Sequence, residues 1–468
     1  MKFSRFPGIT LALAASIALI GCGQKEEPKP QAAAPAPAAA PVTPPPPPPK
    51  PEVTVKLGHV APMTGPQAHL GKDNENGAKL AIEELNAQNL EIGGAKIKFE
   101  LLAEDDGADP KQGTIVAQKL VDAKVNGVIG HLNSGTTIPA SKLYSDAGIP
   151  QISPSATNPK YTQQGFKTAF RVMANDIQQG KVLGEFSAKQ GAKTVAIVDD
   201  RTAYGQGLAD EFKKAAEAAG LKVVATEYTN DKATDFKAIL TKIKSKKPDL
   251  VFYGGMDAQG GPMAKQMKEL GLKAKFLGGD GVCTPEFMKL GGAATEGHYC
   301  SMPGVPLEKM AKGPAFKETF TKKFNAEIQL YAPNVYDAVM VMADSMKRAN
   351  SVDPAKYLEA VGKTSYEGVT AKIEFDDKGD LKGGAISIYQ YKGGKLEYVE
   401  TLGGGVVAAV KEAAAATGEA AKAVAGAAAD ATKDGAKAVT EAAKDGTKAA
   451  AEAVKGAADA TKAAVEKK

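Results

Sequence analysis

The chain has 468 residues, of which 43% are hydrophobic and 24% charged, and its formal net charge is +5. That is enough length and apolar content for a sizeable core and more than one domain. The positive excess is spread along the chain, with no basic stripe interleaved with aromatics, which argues against nucleic acid as a partner.

Met1 to Cys22 reads as a targeting segment. Lys2 and Arg5 give it a basic start, and Ile9 to Ile20 is an apolar core too short to span a bilayer. It ends in Leu19-Ile20-Gly21-Cys22, which matches the bacterial lipoprotein signal, where the cysteine is acylated and becomes the N-terminus. An ordinary signal peptide that happens to contain a cysteine is the plainer alternative, but the position of Cys22 directly after the apolar run favours lipidation. Acyl chains, at about 0.8 kcal/mol per buried methylene, would then hold an exported protein to a lipid bilayer. Residues 23–51 are rich in proline and alanine and include an unbroken run from Pro44 to Pro49. Such a segment cannot pack; as polyproline II it would reach up to roughly 90 Å and act as a stiff tether.

From Glu52 the pattern turns globular. Val53 to Val60 alternates as a strand does, and Ala78, Ala81, Ile82 and Leu85 form the apolar stripe of an amphipathic helix. A strand over Ile97 to Leu102, a helix over Gln112 to Val121 and a buried strand at Gly127-Val128-Ile129 follow. The next stretch, Gly130-His131-Leu132-Asn133-Ser134-Gly135-Thr136-Thr137, runs into a helix at Thr136. It is answered, after the short apolar run Gly148 to Ile152, by Ser153-Pro154-Ser155-Ala156-Thr157. Small hydroxyl residues and free amides at strand ends and helix starts suit a small anion such as a carboxylate. Either loop alone would pass as turn chemistry; the pair at adjacent strand ends points to a site. After Asp176 the alternation begins again: a helix to Gln190, a strand over Thr194 to Val198, and a helix carrying Leu208, Phe212, Ala215 and Ala219. Strand Val223 to Ala225, helix Phe236 to Ile243, strand Leu250 to Tyr253, a helix around Met263 to Leu270 and strand Lys275 to Leu277 come next. Two successive βαβ series imply two lobes with parallel sheets. A long helix over Tyr331 to Arg348 and a β segment over Ile373 to Tyr391 close the domain.

Residues 52 to about 400 resemble the periplasmic leucine/isoleucine/valine-binding proteins, the substrate-binding components of branched-chain amino acid ABC transporters. The resemblance is carried, in order along the chain, by Met63-Thr64-Gly65-Pro66, Asp109-Pro110-Lys111-Gln112, Gly130-His131-Leu132, Pro139-Ala140-Ser141, Tyr204-Gly205, Tyr253-Gly254-Gly255 and Asp376-Asp377-Lys378-Gly379-Asp380-Leu381-Lys382-Gly383. It implies an α/β protein of the two-lobed periplasmic binding protein type I, with parallel sheets flanked by helices and three strands crossing between the lobes. Residues 52–174 with 304–383 would form one lobe and 175–303 with 384–402 the other. It further implies that Ser134, Ser155 and Thr157 bind a ligand carboxylate, that Tyr204 reaches across from the second lobe, and that Asp280 meets the ammonium. The family usually has glutamate where Asp280 stands. Leu70 and Met256 replace the aromatic residues that flank the side-chain pocket, so the pocket should still favour an apolar side chain. Ala108 and Asn133 occupy the family's two cysteine positions. With Cys22 lipidated, Cys283 and Cys300 remain, and an even pair in an oxidising compartment suggests a disulfide in the second lobe; two buried free thiols are the alternative.

The tail over 406–468 is built of Ala, Lys, Glu and Asp. Lys411, Lys422, Lys433, Lys444 and Lys455 recur at a fixed spacing that closes on whole helical turns, so each charge sign keeps to one line of a nearly straight helix. The remaining face is mostly alanine with an occasional Val424, Val439 or Val454, which reads as a solvated, marginal helix or as disorder. Nothing in the chain points to an enzyme, a cofactor or a metal. His59, His69, His131 and His298 lie far apart, and Asn133-Ser134-Gly135 is not a nucleophile elbow. The reading is therefore a lipid-anchored binding protein that passes an apolar amino acid to membrane permease subunits. A ligand-binding sensor needs the same cleft and is the alternative; an envelope protein acting through its tail comes third.

Overall fold

The structure, a computed structural model, describes residues 50–403. The expectations for Cys22 and the signal segment, for almost all of the linker and for the repeat tail lie outside the described residues. No helix among the described residues is long and apolar enough to cross a membrane.

The chain opens with β1 (Glu52–Ala61), α1 (Ala68–Ala87), β2 (Glu91–Ile92), β3 (Ala95–Asp105), α2 (Pro110–Asp122) and β4 (Gly127–Gly130). It continues through α3 (Ser134–Asp146), β5 (Gln151–Ser153), α4 (Lys160–Gln163) and β6 (Ala169–Arg171). The second series is α5 (Asp176–Lys189), β7 (Thr194–Asp199), α6 (Ala203–Ala218), β8 (Lys222–Tyr228), α7 (Lys237–Lys246), β9 (Leu250–Gly254) and α8 (Asp257–Glu269). After β10 (Lys275–Gly278) come α9 (Pro285–Gly291), β11 (Tyr299–Pro303), α10 (Gly313–Phe324), α11 (Ala332–Arg348) and α12 (Pro354–Gly362). The hairpin β12 (Ser365–Glu367) and β13 (Lys372–Glu374) precedes β14 (Ala385–Lys392) and β15 (Lys395–Gly403).

These strands make a six-stranded sheet, β2-β3-β1-β4-β5-β6, and a seven-stranded sheet, β15-β14-β11-β10-β9-β7-β8. Pairing is parallel except at one edge of each, where β2 on β3 and β14 on β11 and β15 run antiparallel. Strands such as Gly127–Gly130 and Leu250–Gly254 are buried along their whole length, as parallel strands covered on both faces must be. Residues Ala78, Ala81, Ile82 and Leu85 of α1 are buried, as their spacing requires. Asp109 caps α2 by accepting from the Lys111 and Gln112 amides, with Pro110 in the first turn.

The chain passes between the two halves three times: between β6 and α5; after β11, into α10 and α11, which pack on α1; and after β13, which with β12 forms a separate two-stranded sheet, into β14. The single β segment expected over Ile373 to Tyr391 is corrected by this path. It divides into β13 and β14, which belong to different sheets, because Asp376 to Gly383 turns between them. A buried polar knot ties two of the crossings together. Arg171 donates from Nε to Asp380 Oδ1 (2.6 Å) and from Nη2 to the Asn158 carbonyl (2.9 Å), while Asn175 Nδ2 reaches Asp380 Oδ2 (3.1 Å). Arg171 is fully buried with its charge paired, the arrangement that makes burying a charge tolerable.

Cys283 and Cys300 are bonded, with Cα atoms 5.3 Å apart. The free-thiol alternative falls. The bridge joins the turn after β10 to β11, its neighbour in the sheet.

Candidate functional site

Both hydroxyl-rich loops leave the carboxyl ends of adjacent parallel strands, β4 and β5. The first is held from below. His131 is fully buried, its Nδ1 lying 3.0 Å from Asp106 Oδ2 and its Nε2 3.0 Å from the Tyr144 hydroxyl. Its carbonyl accepts from Thr137 Oγ1 (3.1 Å) and Ser153 Oγ (2.9 Å), so one residue fixes both loops. Gly130, at φ +142°, passes so close to β1 that a Cβ would lie 2.7 Å from the Val60 carbonyl oxygen. Only glycine fits there.

On this frame Asn133 stands at the N-cap position of α3, without a capping bond from its side chain, and Ser134 opens the helix. The first amides of any helix lack partners within it, which aims donors at the cleft end of α3. Ser134 Oγ accepts from the Asn158 amide (3.2 Å), and Ser155 Oγ donates to the Leu132 carbonyl (3.1 Å). Thr157 is fully buried, and its hydroxyl makes no hydrogen bond of good geometry among the described residues.

The second lobe supplies Tyr204 from the first turn of α6, Met256 just before α8, and Asp280 in the turn after β10. Tyr204 donates its hydroxyl to Asp280 Oδ1 (3.1 Å) and accepts from the Gly281 amide (3.0 Å). A residue absent from the sequence expectation completes the set. Tyr331, at the start of α11, donates across the cleft to Asp280 Oδ2 (2.5 Å). Its backbone is held by Asp73, whose buried carboxylate accepts from the amides of Gln329, Leu330, Tyr331 and Ala332 at 2.9 to 3.1 Å.

Leu132, Asn133, Ser134 and Ser155 from one lobe, Tyr204, Met256 and Asp280 from the other, and Tyr331 enclose one cavity of about 10 Å³. That is room for a single water. Leu70 and Thr157 do not line it. Leu70 is fully buried in the apolar cluster that also holds Leu132, Tyr204, Met256 and Tyr331, and Thr157 lies beside Asp176. A wider chamber of about 350 Å³, bounded by Gln67, Asn133, Arg201, Tyr204 and Met256 among others, lies at the cleft mouth.

The electrostatics are lopsided. Burial pushes the Asp280 carboxyl above its usual range, against hydrogen bonds from Tyr331, Gln179 and Tyr204 that favour the ionised form. Burial likewise carries Asp176 up to about 8, and the Asp280 charge adds to it. No lysine or arginine acts on Asp280 among these influences. Among the described residues, a carboxylate in this position has donors but no counter-charge.

Comparison with known proteins gives the architecture its family. A model of periplasmic binding proteins matches residues 54–395. This chain belongs to that family. It is 37% identical over 339 residues to the leucine-, isoleucine-, valine-, threonine- and alanine-binding protein of Pseudomonas aeruginosa, covering 72% of this chain and 90% of that one. It is 39% identical over 352 residues to Leu/Ile/Val-binding protein homolog 1 of Brucella abortus, covering 74% and 93%. Among solved structures it resembles the branched-chain amino acid transporter substrate-binding protein LivJ of Streptococcus pneumoniae in complex with isoleucine. There the TM-score is 0.69 and the identity 29%, with 75% of this chain and all of that chain covered. The leucine-binding protein LivK of Thermotoga maritima matches with a TM-score of 0.70 at 27% identity, covering 74% and 98%. Proteins of this family bind substrates for transporters and are not enzymes.

Proposed function

We propose that this protein is the extracytoplasmic substrate-binding lipoprotein of an ABC transporter. It takes a branched-chain or other apolar amino acid between its lobes and delivers it to membrane permease subunits, while acylated Cys22 keeps it on the membrane. The observation that carries the reading is Asp280, buried with hydroxyl and amide donors around it and, among the described residues, no cation beside it. A buried carboxylate is stable as an ion only when paired, and an ammonium supplies the missing charge. Opposite it, Ser134, Ser155 and the α3 amides suit the carboxylate of the same ligand. Leu132 and Met256 supply an apolar surround for its side chain, with Leu70 in the same apolar cluster. The relatives named for leucine, isoleucine and valine agree with this chemistry.

The cavity of about 10 Å³ is too small for any amino acid, so the ligand enters with the lobes parted and the two tyrosines drawn off Asp280. The ligand stabilises the closed form only by what it gains there over the open one. A thermal-shift screen across the amino acids tests the reading. A ligand at about a hundred times its dissociation constant adds about 2.7 kcal/mol to stability. Leucine, isoleucine, valine or phenylalanine should raise the melting temperature well ahead of glutamate or lysine. Stabilisation by an amide or a urea, and by no amino acid, would overturn it.

A further inference from the structure

We infer that His69 and Asp257 form a latch across the cleft, an ion pair made on closure, which makes His69 a positioning residue whose protonation strengthens the closed form. The inference rests on the reading that the lobes part and close around a ligand. His69 lies in the first turn of α1, in one lobe, and Asp257 opens α8, in the other. Their side chains meet with Nε2 2.9 Å from Oδ2. Among the described residues no other ion pair joins an element of the six-stranded lobe to one of the seven-stranded lobe.

The pair is unequal. The Asp257 side chain is fully buried, whereas that of His69 keeps 21% of its surface. Asp257 Oδ2 also accepts from Thr284 Oγ1 (2.6 Å), while Oδ1 has no partner among the described residues. A carboxylate so enclosed gains most from a neighbouring positive charge. Every other group acting on His69 favours its charge as well: Glu286 of α9 and the Pro66 backbone. Those near Asp257 are Thr284 and the buried rings of Tyr253, Tyr331 and Tyr391, whose burial keeps them neutral. Burial opposes the His69 charge, but the Asp257 hydrogen bond and charge outweigh it, and the pKa is raised. The latch also sits beside the ligand pocket, since Asp257 follows Met256, which lines it.

The direction of the pH effect follows. Opening takes away the Asp257 contact that raises the His69 pKa, so the closed form holds the proton more tightly and closure takes up protons. The latch contributes fully below the open-form pKa and is lost as pH rises through the closed-form pKa. Calorimetry of the full chain with leucine should show affinity falling about three- to tenfold between about pH 6 and about pH 8.5. His69→Gln, which keeps a hydrogen-bond donor but cannot titrate, should abolish that fall and the accompanying proton uptake. Asp176→Asn should leave the His69-dependent part in place. Small-angle scattering of the ligand-free protein gives a second reading that needs no ligand: the wild type should become more compact at low pH and His69→Gln should not. Should no amino acid bind, the functional reading fails and scattering still decides the latch. A pH-independent wild type, or a His69→Gln variant that keeps the whole pH dependence, overturns it.

Discussion

Asp280→Ala should lower affinity for the bound amino acid by about 2 to 5 kcal/mol, some thirtyfold to several thousandfold. The size of the effect comes from what remains after the substitution. Tyr204 and Tyr331 would keep their hydroxyls but lose their common acceptor, and the ammonium would be enclosed with no anion within a hydrogen bond. Half of a buried charge pair costs more than the pair itself. Asp280→Asn should fall in the same direction, because the amide restores shape without charge. Calorimetry with leucine checks this, and an Asp280→Ala affinity within twofold of wild type would remove Asp280 from the site.

Removing the disulfide with serine at both Cys283 and Cys300 should lower folding stability by roughly 3 kcal/mol, the chain-entropy value for a closed loop of this length. Both residues are buried, at 1% and 0% exposure, so the two serines also bring hydroxyls into an apolar cluster. The effect should reach the site. The Cys283 amide donates to the Asp280 carbonyl (2.8 Å), and Cys300 pairs with Gly278 at the end of β10. The bridge therefore pins the turn that presents Asp280 to the next strand, and the double variant should bind more weakly as well as unfold earlier. Urea unfolding of both proteins decides it; stabilities that agree within about 0.5 kcal/mol would contradict the account.

The two βαβ series were legible because parallel strands covered on both faces leave short apolar runs, as at Gly127–Gly130 and Leu250–Gly254, separated by helical stripes. The pieces between β10 and the end of the domain were less so. The helices over Pro285–Gly291, Gly313–Phe324 and Pro354–Gly362 went unread, and Ile373 to Tyr391 merged two strands of different sheets. Local periodicity carries no information about a chain that crosses between lobes.

The site divides in the same way. Hydroxyls at strand ends announced Ser134 and Ser155, and glycines around Asp280 announced a turn. Tyr331 gave no local signal. It reaches Asp280 because Asp73, 256 to 259 residues away from its partners, gathers their four amides. Leu70 and Thr157, expected at the ligand, do not line the cavity. The latch was out of reach for the same reason as Tyr331: His69 and Asp257 are 188 residues apart.

The central claim is that Asp280 holds an ammonium, and the most direct measurement compares leucine with its analogue lacking the amino group, 4-methylpentanoate, by calorimetry on the wild-type protein. The two share the carboxylate and the apolar side chain, so they differ only in the charge that Asp280 is assigned to meet. Leucine should bind at least about thirtyfold more tightly, the lower bound for losing one partner of a buried charge pair. In Asp280→Ala that preference should shrink to a few-fold. Equal binding of the two by the wild type would contradict the account.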